Sequence, residues 1–255
     1  MAFNVSRDAY NRFMGRYSEP LASCLADLAG VRPGQRALDV GCGPGALTAE
    51  LASRLGADAV TAVDPSRSFT AAVTERLPGV DVRRAAAESL PFGDRAFDAT
   101  LAQLVVHFMA DPVAGLAEMS RVTRPGGVVA ACVWDHAGGT GPLAAFWHAV
   151  RELDPAAPDE SGLAGAREGH LAALFARAGM TAAQPARLTV TVTHPSFDDW
   201  WEPFLLGVGP AGAYVVSLAA DRRELLRGHC QALLGTGPFR IGATAWAVTC
   251  RTGQT

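Results

Sequence analysis

The feature that most constrains this chain is a glycine-rich stretch at residues 37–47. Its first four residues are mostly apolar and predict a short buried strand, followed by a glycine turn and the beginning of a helix. Gly41 and Gly43 lack a Cβ atom where the backbone has to bend sharply and where a ligand has to come close. Because the amides of a helix N-terminus point at whatever lies in such a turn, the stretch predicts a nucleotide-type binding loop.

Two carboxylates indicate which nucleotide this loop binds. Gly41, Gly43 and Ala46 also satisfy the loose dinucleotide fingerprint, so an NAD-binding loop is the competing interpretation. Asp39 precedes Gly41 by two residues, and an ionised carboxylate there repels a pyrophosphate but pairs with an amino-acid ammonium. S-adenosylmethionine carries such an ammonium and no phosphate. Asp64 ends the next predicted strand, 23 residues after Gly41, where it can accept hydrogen bonds from both ribose hydroxyls.

Further motifs extend the pattern beyond the loop. In chain order they are residues 38–45, 63–66, 87–92, 97–98 and 124–127. With them the chain resembles the class I S-adenosylmethionine-dependent methyltransferases, and most closely the small-molecule branch that includes ubiquinone and menaquinone biosynthesis methyltransferases. The resemblance is specific over about residues 35–135. The alternation of strands and helices predicts an α/β fold with a doubly wound sheet, and the resemblance implies a Rossmann-like form with seven mostly parallel strands, one antiparallel late strand and a helical lid.

Four segments are expected along the chain. Residues 1–30 form an N-terminal helical cap and residues 31–136 form the S-adenosylmethionine-binding core. Residues 137–167 read as an inserted helix and loop, and residues 168–255 as the C-terminal part of the core. Within that last part, the aromatic-rich segment 196–235 is predicted to be a helical lid that lies over the crevice and recognises the methyl acceptor.

The residues expected at the cofactor lie at or after the carboxyl ends of the first four strands: Asp39, Gly41, Gly43, Asp64, Pro65, Ala86, Ala87, Glu88 and Gln103. By resemblance, the segment after the third strand brackets the adenine edge. Ala86 stands there in place of the family's frequent acidic residue. That difference leaves adenine recognition to the Ala87 amide and to Glu88, for which a solvated loop charge is the alternative. Gln103 is expected beside the methionine end.

Four side chains are candidates for a catalytic role: His107, Tyr17, Tyr10 and His148. Tyr10 and Tyr17 lie on the apolar face of a helix predicted over residues 8–29, and their hydroxyls need partners there. His107 follows the fourth strand, where a packed histidine is the alternative. An oxygen acceptor needs a base to remove its proton, whereas a phenol or an acidic carbon needs less help. Nothing in the sequence ranks the four.

The amino-acid composition indicates which classes of binding partner this chain can have. The chain has 255 residues, of which 49% are hydrophobic and 18% charged, as expected for an ordered globular protein. A net charge of −3 disfavours nucleic acid as a partner. The five cysteines are scattered without CxxC pairs, and no patterned ligand set is present, so a reducing compartment and no metal site are predicted. No signal-peptide core or membrane-length apolar run is found, which predicts a cytoplasmic protein without a membrane partner.

The sequence therefore predicts methyl transfer from S-adenosylmethionine to a small, apolar or aromatic molecule, at oxygen, carbon or nitrogen, by in-line displacement. Two alternatives stay open. The first is a protein of the same fold that binds S-adenosylmethionine without transferring methyl, either a cyclase or a binding module. The second is an NAD-dependent oxidoreductase, which Asp39 disfavours. The oligomeric state is not encoded in any recognisable motif.

Overall fold

The computed structural model describes residues 11–157 and 159–253. A π-helical turn, Asn11–Gly15, leads into helix α1, Arg16–Leu28. The first half of the chain then alternates strands and helices: β1 (Ala37–Val40), α2 (Ala46–Leu55), β2 (Val60–Asp64), α3 (Arg67–Arg76), β3 (Asp81–Arg84), β4 (Phe97–Gln103), α4 (Pro112–Val122) and β5 (Thr123–Trp134). Short 3₁₀ turns, Ala57–Ala59 and Val106–Phe108, precede β2 and follow β4.

The second half is richer in helices. Its elements are α5 (Ala144–Leu153), α6 (His170–Arg177), β6 (Gln184–His194), α7 (Phe197–Trp201), α8 (Gly209–Ser217), α9 (Ala220–Leu234) and β7 (Phe239–Arg251). A 3₁₀ turn, Glu202–Leu206, joins α7 to α8. Within the described part of the chain, no helix combines the length and the apolarity that crossing a membrane requires.

All seven strands belong to one sheet, in the order β3-β2-β1-β4-β5-β7-β6. Strand β7 runs antiparallel to both of its neighbours, and the other strands are parallel to one another. The predicted fold class, a Rossmann-like doubly wound sheet with one antiparallel late strand, is confirmed. The strand order reverses between β1 and β4, and ligands of such sheets bind in the crevice at the carboxyl ends of strands at this point.

Burial explains why the central strands form. Every residue of β1 and β2 is buried, as expected for parallel strands that are covered by helices on both faces. Most of β4 is buried as well. Residues 124–127, predicted as a turn, lie within β5 in the structure, and the pairing with β4 shifts register there, between Phe97 and Ala99.

Two apolar cores fill the two faces of the sheet, and a third lies mainly among helices, touching the sheet at Phe239 and Ile241 of β7. We call the third the helical unit; it comprises α5, α7, α8, α9 and the turn Glu202–Leu206. Phe204 lies at its centre, stacked on Phe146 with ring centroids 4.7 Å apart and edge-on to Phe13 at 4.9 Å. Trp200 and Trp201, adjacent in sequence, are both buried there. The helical unit is therefore held together by aromatic side chains rather than by the sheet.

Candidate functional site

A cavity of about 1050 Å³ opens where β1, β2 and β4 end. This volume is at the upper end of the range for pockets that hold small molecules and cofactors. All nine residues that the sequence places at a cofactor contribute to its lining: Asp39, Gly41, Gly43, Asp64, Pro65, Ala86, Ala87, Glu88 and Gln103. The structure therefore brings together residues from four separate loops at the edge that the strand order predicts.

The glycine loop forms the floor of this cavity. Gly41 has a φ of +72°, and a Cβ atom at this position would overlap the side chain of Val105, so glycine is required twice over. Gly43 has a φ of +51°, and a Cβ atom there would meet no atom within 4 Å. The amides of Gly41 and Cys42 both donate to the carbonyl oxygen of Val63, at 2.8 and 3.0 Å. These bonds hold the loop against the end of β2.

Asp39 is a buried carboxyl group at the base of the cavity, only 1% exposed. Its Oδ2 accepts a hydrogen bond of 2.6 Å from the Thr48 hydroxyl, on the first turns of α2. Burial raises the pKa of Asp39 to about 7, and the neighbouring Asp64 contributes in the same direction. Since a cation nearby favours the charged form, a ligand ammonium in the cavity would lower this pKa and be held by the resulting carboxylate.

Asp64 lies beside the glycine loop with its carboxylate already oriented. Oδ2 accepts from the Gly43 amide at 2.9 Å and Oδ1 accepts from the Ser66 amide at 2.8 Å. Burial raises the pKa of this group, although the two amides act in the opposite direction. Each carboxylate oxygen accepts at more than one site, so Asp64 retains capacity for two adjacent hydroxyls.

Gln103 offers an acceptor without a partner. Its Nε2 donates to the carbonyl oxygen of Ser18 at 2.8 Å, which orients the amide. Its Oε1 is buried and has no hydrogen-bond partner; only His107 Nδ1 and Trp134 Nε1 share this property among the described side chains. A buried polar atom without a partner is unfavourable by about 1–3 kcal/mol, which a ligand donor would recover.

Glu88 lines the cavity but is engaged by the protein. Its Oε1 accepts from the amides of Ala110 and Asp111, at 2.7 and 3.2 Å. Asp111 in turn caps α4 by accepting from Val113 and Ala114. The Glu88 carboxylate thus holds the loop before α4, and at least one of its oxygens is committed to that structural role.

The catalytic candidates are dispersed, and none of the described ones lines the cavity. Tyr17 is buried beside it on α1, and its hydroxyl forms a 2.8 Å hydrogen bond with His194 Nε2. Burial raises the pKa of Tyr17 well above its usual range, so the phenol stays neutral. The structure therefore directs this hydroxyl to β6. Tyr10 lies outside the described residues.

His107 lies next to the cavity, because its ring packs at 3.9 Å between centroids on the lining residue Phe108. Its Nδ1 is buried without a partner. Burial, together with the nearby His136, lowers the pKa of His107 to about 3. The imidazole is therefore neutral at physiological pH and is a weak base.

The structure does not bring His148 to the cavity. It lies on the exposed face of α5 and its Nε2 is 3.5 Å from Glu152. The opposite face of this helix buries Phe146, Trp147 and Val150 in the helical unit. Helical periodicity therefore turns His148 toward solvent.

The segment 196–235, which the sequence predicts to be a helical lid, forms helices α7, α8 and α9 in the structure. Its helices pack on one another, on α5 and on the beginning of the chain, and none of their residues contributes to the described lining of the cavity. Burial of the aromatic side chains explains this arrangement, since Phe197, Trp200, Trp201 and Phe204 are each at most 3% exposed.

Several lining residues were not identified from the sequence, and two of them, Ser18 and Leu104, have notable contacts or backbone conformation. Ser18 borders the cavity from α1 and supplies the carbonyl that orients Gln103. Leu104 adopts a φ of +59°, which is unusual for a residue with a Cβ atom, and its amide donates to Cys132 at 2.9 Å. No local pattern in the sequence marks either of them.

The lining brings two buried carboxyl groups, Asp39 and Asp64, together with the glycine loop and Gln103. Carboxylate oxygens are acceptors that suit a ligand with a cationic group and adjacent hydroxyls. Across the residues described, no cluster of three or more histidine, cysteine, aspartate or glutamate side chains is arranged to hold a metal ion.

Comparison with known proteins identifies some relatives that match part of this chain and others that match most of it. Residues 38–131 match the family described as "Methyltransferase domain". The demethylmenaquinone methyltransferase of Beutenbergia cavernae is 42% identical over 101 residues, which are 40% of this chain and 41% of that protein. The uncharacterized protein Rv1405c of Mycobacterium tuberculosis is 30% identical over 219 residues, which are 81% of this chain and 78% of that protein. The chain spans less than half the length of the first curated relatives that it matches.

Among solved structures, the 4+2 cyclase SpnF superposes with a TM-score of 0.55 and 19% identity, over 92% of this chain and 81% of that one. At this level of identity, the likeness shows a shared fold.

Proposed function

Because the chain belongs to the class I S-adenosylmethionine-dependent methyltransferases, we propose that it transfers a methyl group from S-adenosylmethionine to a small molecule. One observation carries the proposal. The buried carboxyls of Asp39 and Asp64 flank a glycine loop in one cavity, together with the partnerless Gln103 Oε1. A pyrophosphate would meet two acidic groups there, whereas an amino acid joined to a nucleoside finds an acceptor for each of its donors.

In this proposal each group has a distinct binding task. Asp39 and Gln103 accept from the ammonium, and Asp64 accepts from the ribose hydroxyls. Gly41 and Gly43 keep the loop free of side chains, so that the ligand can approach the backbone. Ala86 and Ala87 border the adenine, with Ala87 supplying its amide, and Pro65 packs beside the ribose.

When bound, S-adenosylmethionine supplies an electrophilic methyl group on a sulfonium sulfur. The protein's contribution is to align the acceptor with that methyl group and to exclude water. Three apolar residues of the lining, Leu104, Val105 and Phe108, support the exclusion of water.

The low basicity of His107 limits the chemical class of methyl acceptor that this site can use. The described lining includes no histidine or tyrosine, and the adjacent His107, with a pKa of about 3, accepts a proton poorly. We therefore propose an acceptor that ionises readily by itself, such as a phenol or an acidic carbon. The likeness to a demethylmenaquinone methyltransferase supports an aromatic acceptor of this kind. The net charge of −3 supports a small molecule rather than a nucleic acid. Five free thiols support action in a reducing compartment, the cytoplasm.

A second candidate function is a cyclase that binds S-adenosylmethionine without using its methyl group. The likeness of the whole fold to SpnF is the observation that favours it. The same cavity would then hold the cofactor in a structural role, and the product would gain no mass from it.

Calorimetric titration with S-adenosylmethionine, S-adenosylhomocysteine and NAD tests the cofactor. We expect both adenosyl ligands to bind and Asp64→Ala to weaken both by at least tenfold, because hydrogen bonds to a charged group are lost. Asp58→Ala is the matched control, since this exposed carboxylate lies at the start of β2, away from the cavity. Binding of NAD alone would overturn the proposal.

Mass spectrometry of the products then separates the two functions. The protein is incubated with S-adenosylmethionine and with phenols, demethylmenaquinone or primary amines in turn. A product heavier by one methyl group, formed together with S-adenosylhomocysteine, supports methyl transfer. Turnover without that gain supports the cyclase.

A further inference from the structure

A buried network joins the N-terminal helix to the C-terminal part of the chain. Tyr17 Oη is 2.8 Å from His194 Nε2, and His194 Nδ1 is 3.1 Å from Asp199 Oδ2. Arg16 Nη1 lies 2.5 Å from the same Asp199 oxygen and 3.0 Å from His194 Nδ1. Tyr17 and His194 are 3% and 2% exposed. We call Arg16, Tyr17, His194 and Asp199 the clamp.

The clamp is complete in either tautomer of His194. When Nδ1–H donates to Asp199, Nε2 accepts from the Tyr17 hydroxyl; when Nδ1 accepts from Arg16, Nε2–H donates to the Tyr17 oxygen. Burial lowers the pKa of His194, although Asp199 acts in the opposite direction, and the imidazole stays neutral. The Arg16 guanidinium holds the pKa of Asp199 below its usual value. In the clamp, the neutral side chains of Tyr17 and His194 bond to each other, and the Arg16–Asp199 ion pair bonds to the other nitrogen of His194.

The residue after Tyr17 carries the effect of the clamp to the cavity. Ser18 is 2% exposed and borders the cavity, and its carbonyl oxygen accepts from Gln103 Nε2. A primary amide has one donor end and one acceptor end, so this bond determines which end remains for a ligand. With Nε2 committed to Ser18, the free end is Oε1, an acceptor.

We propose that Arg16, Tyr17, His194 and Asp199 are positioning residues that hold the Ser18 carbonyl against Gln103, so that Gln103 Oε1 is presented to the ammonium of the bound cofactor. The inference rests on the proposed function, because it assigns the amino-acid end of S-adenosylmethionine to this side of the cavity. It gives β6 and α7, which do not line the cavity, a role in cofactor binding.

A pair of ligands distinguishes positioning from general stability. S-adenosylhomocysteine carries the amino-acid end, and 5′-methylthioadenosine lacks it. We expect Tyr17→Phe and His194→Leu to weaken binding of S-adenosylhomocysteine by about tenfold and to leave that of 5′-methylthioadenosine within twofold. His194→Gln, whose amide can still bond to the Tyr17 hydroxyl, should restore most of the loss.

Two controls make the test specific. Tyr214→Phe removes the hydroxyl from a ring that packs on Phe146 and Trp147, and His229→Gln replaces an imidazole on α9; neither residue belongs to the clamp. We expect both variants to bind the two ligands as the wild type does. Gln103→Leu should show the same ligand selectivity as Tyr17→Phe, and combining the two should add nothing further, because both act through one hydrogen bond.

The outcomes separate the inference from the function on which it rests. If the wild type binds neither adenosyl ligand, the proposed function and the inference both fail. If the wild type binds both ligands but the clamp variants lose affinity for both equally, or for neither, only the inference is overturned. Additive losses in the Gln103→Leu, Tyr17→Phe double variant would also overturn it.

Discussion

The cavity edge and the helical unit of this protein are built in opposite ways. At the cavity edge, backbone conformation and buried charge dominate: Gly41 adopts a positive φ, Leu104 does so with a side chain, and Asp39 is a buried carboxyl. In the helical unit, stacked rings dominate, with Phe146 and Phe204 4.7 Å apart.

The difference indicates which region is optimised for stability. Aromatic pairs bury large apolar areas and stabilise the fold directly. A buried carboxyl and a strained backbone are unfavourable in the free protein, and such features concentrate where a ligand compensates for them. Substitutions in the helical unit should therefore change stability, and substitutions at the cavity edge should change binding more than their effect on stability explains.

The largest effect is expected for Phe204→Ala in the helical unit. Removing a ring that contacts Phe13, Phe146 and Trp200 leaves a void, and we expect the free energy of unfolding to fall by about 3–5 kcal/mol. Affinity of the folded protein for S-adenosylhomocysteine should stay within twofold. Urea unfolding and calorimetry measure the two quantities. Leu205→Ala, at a site 42% exposed, is the control and should cost less than about 0.5 kcal/mol. A large loss of affinity in Phe204→Ala would break the contrast between the regions.

Next in size is Gly41→Ala at the cavity edge. The left-handed conformation costs a residue with a Cβ atom about 1–2 kcal/mol, and overlap with Val105 adds to this, so we expect a total of about 3 kcal/mol together with loss of ligand binding. Gly30→Ala isolates the conformational part, because Gly30 has a φ of +66° and a Cβ atom there meets nothing within 4 Å. Equal losses in the two variants would show that the Val105 contact is unimportant.

A smaller effect concerns two buried carboxyls with similar pKa values, Asp39 at the cavity edge and Glu160, which is bonded to Trp147 of the helical unit. Burial raises the pKa of Asp39 and of Glu160, which accepts from Trp147 Nε1 at 2.9 Å, to about 7. Between the ordinary carboxyl pKa and 7, the folded protein binds more protons than the unfolded chain. The contribution of these two groups to stability is therefore largest at low pH and falls as pH rises from about 4 to 7, by up to about 1.4 kcal/mol per unit for each group.

Asp39→Asn and Glu160→Gln should each reduce part of this pH dependence. At pH 8, the free energy of unfolding of each variant should be about 1–3 kcal/mol higher than that of the wild type. Only Asp39→Asn should also lower the affinity for S-adenosylhomocysteine. Urea titrations at pH 5 and pH 8 measure the first effect, and calorimetry the second. Equal effects of both substitutions on ligand affinity would remove the distinction between the regions.

The smallest expected effect is the pH dependence of ligand affinity in the wild type. Binding of an ammonium next to Asp39 favours its ionised form, so affinity for S-adenosylhomocysteine should rise between pH 5.5 and 7, by less than about tenfold per unit. Asp39→Asn should lose this slope and Glu160→Gln should retain it. A wild-type affinity independent of pH would show that Asp39 does not pair with the ligand.

Much of the cavity edge was predictable because its determinants are local or follow from strand order. A strand, a glycine turn and a helix are specified by residues 37–47. Once alternating strands and helices predict a doubly wound sheet, the carboxyl ends of β1, β2 and β4 must meet, and with them Asp39, Asp64 and Gln103. The family resemblance supplied what spacing alone does not, the late antiparallel strand and the residues beside the adenine.

The positions of individual side chains were less predictable. Glu88 had two interpretations, and its engagement by the Ala110 amide depends on how the loop before α4 closes. Tyr17 is a catalytic candidate in the sequence, and the structure bonds its hydroxyl to His194, which is 177 residues away in sequence. His148 is a candidate base in the sequence, and its exposed position follows from the burial of the opposite, apolar face of α5.

The sequence by itself determined the class of fold, the glycine loop and the two carboxylates, because short-range backbone preferences and hydrophobic periodicity are properties of neighbouring residues. Only the tertiary structure decided what the Gln103 amide and the Tyr17 hydroxyl bond to and where the aromatic helices pack. Those outcomes depend on contacts between residues far apart in the chain, and such contacts form only when the competing ways of burying the same side chains have been resolved by packing.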